Sequence, residues 1–284
     1  ASNNTAVGYA SLNANTTGDR NVAVGTLALD ANTTADGNTA VGYAALTTNT
    51  TAEVNTAIGF SAMKLNTTGA SNTAVGANSL YANTTASNNT AVGTSALSAN
   101  TTGTFNTAVG SLAGDALTTG SRNTAFGKDA LTTDTLGSRS TALGFAALYS
   151  QNFTSATDSY NVAVGDQAGL NVTTGLQNTL IGGLAGDALT DADNNIAIGY
   201  GALSNDTLGS TSIGIGVLAL TEQNFTSATD TYNIAIGFRA GEKVSTGVQN
   251  TLIGGFAGDA LTDADYNTAV GYSALTSDTL GSRS

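Results

Sequence analysis

The sequence predicts an all-β chain wound as a parallel β-solenoid (a β-roll) of about sixteen 17-residue coils, two of them lengthened to 21. Three observations carry this expectation. The motif Asn-Thr-Ala-Val-Gly or a close variant returns at a fixed step along nearly the whole chain. A Gly occupies the same place in every copy, and the residues before it alternate in a β-branched, strand-like pattern. Seventeen residues are also too few for the usual two-helix repeat, and frequent Gly and β-branched residues disfavour helix.

With the Asn of that motif as position 0, coils open at Asn4, Asn21, Asn38, Asn55, Asn72, Asn89, Asn106, Asn123, Ser140, Asn161, Asn178, Asn195, Ser212, Asn233, Asn250 and Asn267. The step is 17 except after Ser140 and Ser212, where it is 21, and a second period of 72 gives super-repeats at 140–211 and 212–283. Residues 1–284 therefore read as one continuous repeat region. The pattern reaches both ends without an atypical capping coil, which suggests a slice of a longer fibre. At about 4.8 Å per coil, sixteen coils predict a rod of roughly 80 Å.

Within a coil, positions 1 to 3 are the expected strand. Position 3 is always apolar, and Val7, Val24, Val41, Ile58, Val75 and Val92 are expected to form a core ladder together with position 1. Position 2 then faces outward; it is Ala in thirteen coils, which reads as a surface closely approached by another backbone. Position 4 is Gly in all sixteen, implying positive φ or a place where a Cβ would clash. Position 8 is Leu or Met in eleven coils and Gly in five (Gly114, Gly169, Gly186, Gly241, Gly258). In those five, position 11 becomes Leu or Val, so lost volume at one site returns at the other. The Asn-Thr-Thr segments at positions 11 to 13 are expected to form a second short strand, with their Asn and those at position 0 stacking as amide ladders.

Composition narrows the function classes. The net charge of -12, with eight scattered Lys and Arg, argues against nucleic acid and an anionic membrane as ligands. No apolar run approaches a membrane span. With no His and no Cys, a Ser/His/Asp triad, a Cys nucleophile and a His-based metal site are excluded. The expectation is no enzyme and no cofactor. The chain lacks an initiator Met and a signal peptide, and is read as a mature product or an excised piece.

Asn161-Val162-Ala163-Val164-Gly165, Asn195-Ile196-Ala197-Ile198-Gly199 and Asn233-Ile234-Ala235-Ile236-Gly237 resemble the head repeats of YadA-type trimeric autotransporter adhesins. The longer pattern resembles repeats of phage tail fibres and bacterial surface fibres. The resemblance covers nearly the whole chain. It implies a left-handed β-roll, three chains about a common axis, and an extracellular place on a cell-surface or virion tail fibre. By that analogy Ala6, Gly8, Ala23, Gly25, Ala40 and Gly42 form the protomer-packing face.

Several candidate sites stand beside plainer explanations. Asp187, Asp191 and Asp193, repeated as Asp259, Asp263 and Asp265, supply oxygen ligands of the kind Ca²⁺ takes, or form an acidic turn copied with its coil. The insert Gln-Asn-Phe-Thr-Ser-Ala-Thr-Asp occurs twice; Gln151, Asn152 and Phe153, then Gln223, Asn224 and Phe225, read as ligand loops bulging from the rod with an exposed Phe, or as a variation in coil length. Asn-x-Thr sequons at Asn15, Asn152 and Asn224 are glycosylation acceptors in some secretory routes. Aromatics at position 5 (Tyr9, Tyr43, Phe60, Phe145, Tyr200, Phe238, Tyr272) offer a sugar-binding stripe or edge packing at a corner.

These readings converge on a structural or adhesive extracellular fibre. Its partners are copies of itself, as a homotrimer or an end-to-end filament, with a host-surface receptor or glycan as further candidates. A binding module built on the insert loops is the alternative. An ice-binding solenoid is a third, disfavoured because Thr16 and Thr17 are adjacent and point to opposite sides.

Overall fold

The computed structural model describes residues 1–283, and no helix occurs among them. The chain is a parallel β-solenoid of about sixteen turns of about 17 residues. Each turn contributes one three-residue strand at positions 1 to 3, from Thr5–Val7 and Val22–Val24 to Thr251–Ile253 and Thr268–Val270. Neighbours pair parallel and without slippage, so that Ala40 lies beside Ala57 and Val41 beside Ile58.

The chain divides into two compact units. One comprises Ala1–Arg139 with Phe153–Asp158; the other comprises Ser140–Asn152 with the chain from Ser159 onward. Each carries eight of the three-residue strands, ending at Thr124–Phe126 in the first and running from Thr141–Leu143 to Thr268–Val270 in the second. Each also holds one two-residue parallel pair: Gly137–Ser138 with Thr157–Asp158, and Gly209–Ser210 with Thr229–Asp230.

The strand faces the opposite way from the sequence expectation. Ala23, Ala40, Ala57 and Ala74 at position 2 are fully buried inside their own coils. Val24, Val41, Val75 and Val92 are only partly covered, while Val7 and Ile58 are 58% and 39% exposed. The interior is instead built from Ala at positions 2 and 7 and Leu at position 8, as in Ala23, Ala28 and Leu29 or Ala40, Ala45 and Leu46. The physical reason is size. Where position 8 carries Leu or Met, a turn with a single short strand closes on so narrow an interior that Ala fits at position 2 and a β-branched side chain would overpack.

The same closeness replaces the expected protomer-packing face. A Cβ on Gly25 would sit 2.4 Å from the carbonyl oxygen of Gly42, and one on Gly42 equally close to that of Gly59. Gly8 meets Gly25 in the same way, and these glycines have φ of 130 to 137°, where L side chains are strained. Position 4 thus packs on the next coil of its own chain, and Ala23 and Ala40 are sealed within it. Ala6, whose strand pairs with Val22–Val24, is exposed.

The volume exchange between positions 8 and 11 is present in the packing. A Cβ on Gly114 would lie 3.1 Å from Leu117 Cδ1, and one on Gly186 would lie 2.8 Å from Leu189 Cδ1. A further partner comes from position 2: Leu180 fills space beside both Gly169 and Gly186, and Leu252 does so beside Gly241 and Gly258. Positions 8 and 6 also turn the chain through left-handed conformations, with φ of 49° at Leu29 and 61° at Leu27. Such residues cost roughly 1 kcal/mol or more each, offset at position 8 by burial of the Leu side chain. The Asn-Thr-Thr segments form bends, not the expected second strand.

This packing predicts a coupled pair. Leu180→Ala should destabilise the protein by about 3 kcal/mol, as large-to-small core changes do. Gly169→Ala alone should also destabilise, since its Cβ would sit 2.7 Å from Leu180 Cδ1. Together they should cost at least about 1 kcal/mol less than the sum, because each relieves the other. Chemical unfolding of the four proteins checks this; strict additivity contradicts the shared-volume account.

Candidate functional site

Seventeen-residue coils bury many polar groups, and the structure satisfies them by side-chain ladders running from coil to coil. At position 0, the Asn21 Oδ1 accepts the backbone N–H of Asn38 (2.9 Å), while Asn38 Nδ2 donates to the carbonyl of Ala52 (2.9 Å). At position 11, the amides bond each other directly: Asn66 Nδ2 to Asn49 Oδ1 (2.9 Å) and Asn83 Nδ2 to Asn66 Oδ1 (2.8 Å). At position 12, Thr hydroxyls donate to the next coil's carbonyl, as in Thr67 to Thr84 (3.0 Å). The amide ladder stops where Leu117 replaces Asn, and the buried Asn100 Oδ1 there has no hydrogen-bond partner within the protein. Asn32, Asn49, Asn66, Asn83 and Asn100 are fully buried in this ladder.

The inserts, expected to display a Phe, bury it: Phe153 is 5% and Phe225 7% exposed, and Gln151 and Gln223 are fully buried. Their coils open with Ser instead of Asn, and the longer Gln at position 11 spans the resulting gap. Gln223 Nε2 donates to Ser212 Oγ (2.7 Å), its Oε1 accepts Asn233 Nδ2 (2.9 Å), and Ser212 Oγ meets Thr231 Oγ1 at 2.5 Å. Gln151 repeats the arrangement with Ser140 and Asn161. The backbone N–H of Phe225 donates to buried Asp206 Oδ1 (3.1 Å). Asn152, Asn224 and the Thr-Ser-Ala that follows each Phe remain exposed. The inserts are therefore internal repairs of the ladder with a small polar cap.

The candidate calcium carboxylates do not converge. No group of three or more Asp, Glu, His or Cys able to hold a metal occurs among the described residues. Asp193 and Asp265, at position 15, accept the backbone N–H of Leu176 (2.7 Å) and Val248 (2.8 Å), one coil earlier. Asp191 and Asp259 accept hydroxyls of Thr174 and Thr276. Asp187 sits at position 9, where its Oδ1 is buried without a partner. Burial pushes the carboxyls of Asp187 and Asp115 above the ordinary carboxylate range. At Asp36 the hydrogen bond from the Asp19 backbone, assisted by Arg20, lowers it.

Two surfaces remain. The position 5 aromatics are all exposed, from 45% at Phe145 to 79% at Tyr9. Tyr43 and Phe60 in adjacent coils stack at 5.3 Å with their planes 14° apart, and Phe256 stands edge-on to both Phe238 and Tyr272. The second surface is the outward sheet face that the inverted strand exposes. In the first unit it pairs a Thr rank (Thr39, Thr56, Thr73, Thr90, Thr107, Thr124) with a Val/Ile rank ending in Phe126. In the second unit three consecutive coils are apolar in both ranks, Ile196 with Ile198, Ile213 with Ile215 and Ile234 with Ile236, while Thr141, Thr179, Thr251 and Thr268 keep Thr in the first rank. Sequence alternation marks these residues as sharing one face; the narrowness of the coil turns that face outward.

The raised Asp187 carboxyl carries a sign. A folded-state value above the unfolded one means that ionisation favours unfolding, so this group's penalty is absent below the ordinary carboxylate range and sets in as pH rises through the folded value. Asp36 acts oppositely: its stabilisation is present above the unfolded value and is lost as pH falls through the lowered one. Asp187→Asn should therefore raise stability at pH 7 and lose that advantage at acid pH. Thermal melts of the two proteins across that range check it, and an advantage independent of pH contradicts it.

Comparison with family models, curated proteins and solved structures finds no match.

Proposed function

We propose that the chain is a segment of a structural, adhesive fibre outside the cell, a stiff solenoid that carries binding elements away from a cell or virion surface. The observation that supports this most directly is the outward sheet face. Its strands repeat one outward-facing pair of residues per coil, and in three consecutive coils of the second unit that pair is Ile with Ile, half-buried except for the exposed Ile236. A sheet face of β-branched apolar residues gains free energy when covered, at about 25 cal/mol per Å² of apolar surface. The repeat that builds it also supplies its complement in a second copy of the chain. Copies of the chain are thus the partners this surface fits, and three is the number that the resemblance to YadA-type heads implies. Coil-to-coil ladders at positions 0, 11, 12 and 15 add the stiffness a shaft needs.

The solution mass tests self-association. One chain is 28.0 kDa, so sedimentation equilibrium should give about three times that value. Lys placed at Ile198 and Ile236 should return the mass to that of one chain without unfolding it, because both side chains lie on the outward face. A native mass of one chain sinks the trimer.

One observation favours a second reading, adsorption to ice. The Thr rank from Thr39 to Thr124 in the first unit sits on a regular outward sheet face, whereas the adjacent Thr16 and Thr17 belong to a bend. Thermal hysteresis that is lost in Thr73→Lys would support it; freezing-point behaviour like that of an ordinary solute rules it out.

A further inference from the structure

The first unit carries an open groove of about 730 Å³ where the position 5 aromatic stripe breaks. Tyr43 and Phe60 stack on each other, but the next coil places Ala77 at position 5, so no ring covers the far side of Phe60. The position 6 residues that follow, Asn78 and Ser95, form part of the groove lining, and Tyr81 with Lys64 at position 9 contributes the rest of its principal surface. Lys64 Nζ lies 5.9 Å from the centre of the Tyr81 ring. No carboxylate lines the groove, although the chain has 20 Asp and Glu against eight Lys and Arg.

We propose that this groove binds an acidic saccharide, a sugar chain carrying carboxylates. The chemistry matches on three counts. An uncovered aromatic ring offers a flat apolar platform to the C–H face of a pyranose, with Tyr hydroxyls adding a polar edge. The amide of Asn78 and the hydroxyl of Ser95 are neutral groups that both donate and accept, as vicinal sugar hydroxyls require. Lys64 supplies one positive charge for a sugar carboxylate in surroundings where the rest of this acidic chain would repel it. A single cation is too little for a nucleic acid backbone, whose binding scales with the number of phosphates neutralised. The groove lies within one copy of the chain, so this proposal does not depend on self-association.

Calorimetric titration of the whole chain with tetragalacturonate and with the neutral galactose tetramer tests it. The acidic tetramer should bind saturably and at least about tenfold more tightly than the neutral one, and Lys64→Gln should remove that preference. Phe60→Ala should abolish binding of both. Ala77→Tyr, which continues the ring stack into the groove, should abolish it as well while adding aromatic contact to the fold. Circular dichroism verifies that each variant is folded, and sedimentation reports self-association separately. Absence of saturable binding, equal affinity for the two tetramers, or binding unchanged in folded Phe60→Ala overturns the proposal.

Discussion

The approach of one coil to the next at position 4 sets the terms for everything else. Backbone meets backbone there with no space for a Cβ, as the 2.4 Å separation between a Cβ on Gly93 and the carbonyl of Gly110 shows. Within each unit the position 4 glycines, from Gly8 to Gly110 and from Gly144 to Gly254, keep that distance short, and parallel pairing then follows at the spacing of a sheet. A coil held so close to its neighbours, with one three-residue strand and turns elsewhere, encloses little volume. Most coils fill it with Ala at positions 2 and 7 and one Leu or Met at position 8, whereas the coils of Leu180 and Leu252 have Gly at position 8 and add Leu189 and Leu261 at position 11.

Polar satisfaction is the second consequence of that narrowness. A small apolar interior cannot cover the backbone groups of turns, so side chains must bond them, and buried Asn does this in nearly every coil. The ladders are cooperative in a geometric sense: each amide is positioned by the one before it. Where the pattern changes, the change is compensated locally. Ser212 is shorter than Asn, and Gln223 reaches across to it. Gly169 and Gly186 give up volume, and Leu180 occupies it. At Asn100 a ladder ends without a successor, leaving its oxygen orphaned. Function is then left to what the coil does not need internally, namely the outward strand face and the edge carrying positions 5, 6 and 9.

Much of this was legible in the residues. The 17-residue period, the strand at positions 1 to 3, the strict Gly and the exchange between positions 8 and 11 all follow from local chemistry repeated many times. The amide ladder at position 11 was legible too, because identical Asn side chains one coil apart have few other ways to be satisfied. The burial of Phe153 and Phe225 was not. An insert reads as a protrusion until the Ser at the start of its coil and the Gln at position 11 are seen to bridge inside.

The sequence by itself determined the repeat, the pairing partners of the three-residue strands and the need for Gly at each close approach, since these depend on what a single coil can do with its nearest copy. Only the tertiary structure decided which side of the strand is inside. Thr-Ala-Val alternates with period two, and such a pattern is equally consistent with Val inward or Ala inward. Hydrophobicity favours Val; the cross-section of the closed coil favours Ala, and a steric limit outweighs a transfer preference. The carboxylates of Asp187, Asp191 and Asp193 were separated by the same closure, which sends neighbouring side chains of a turn in different directions.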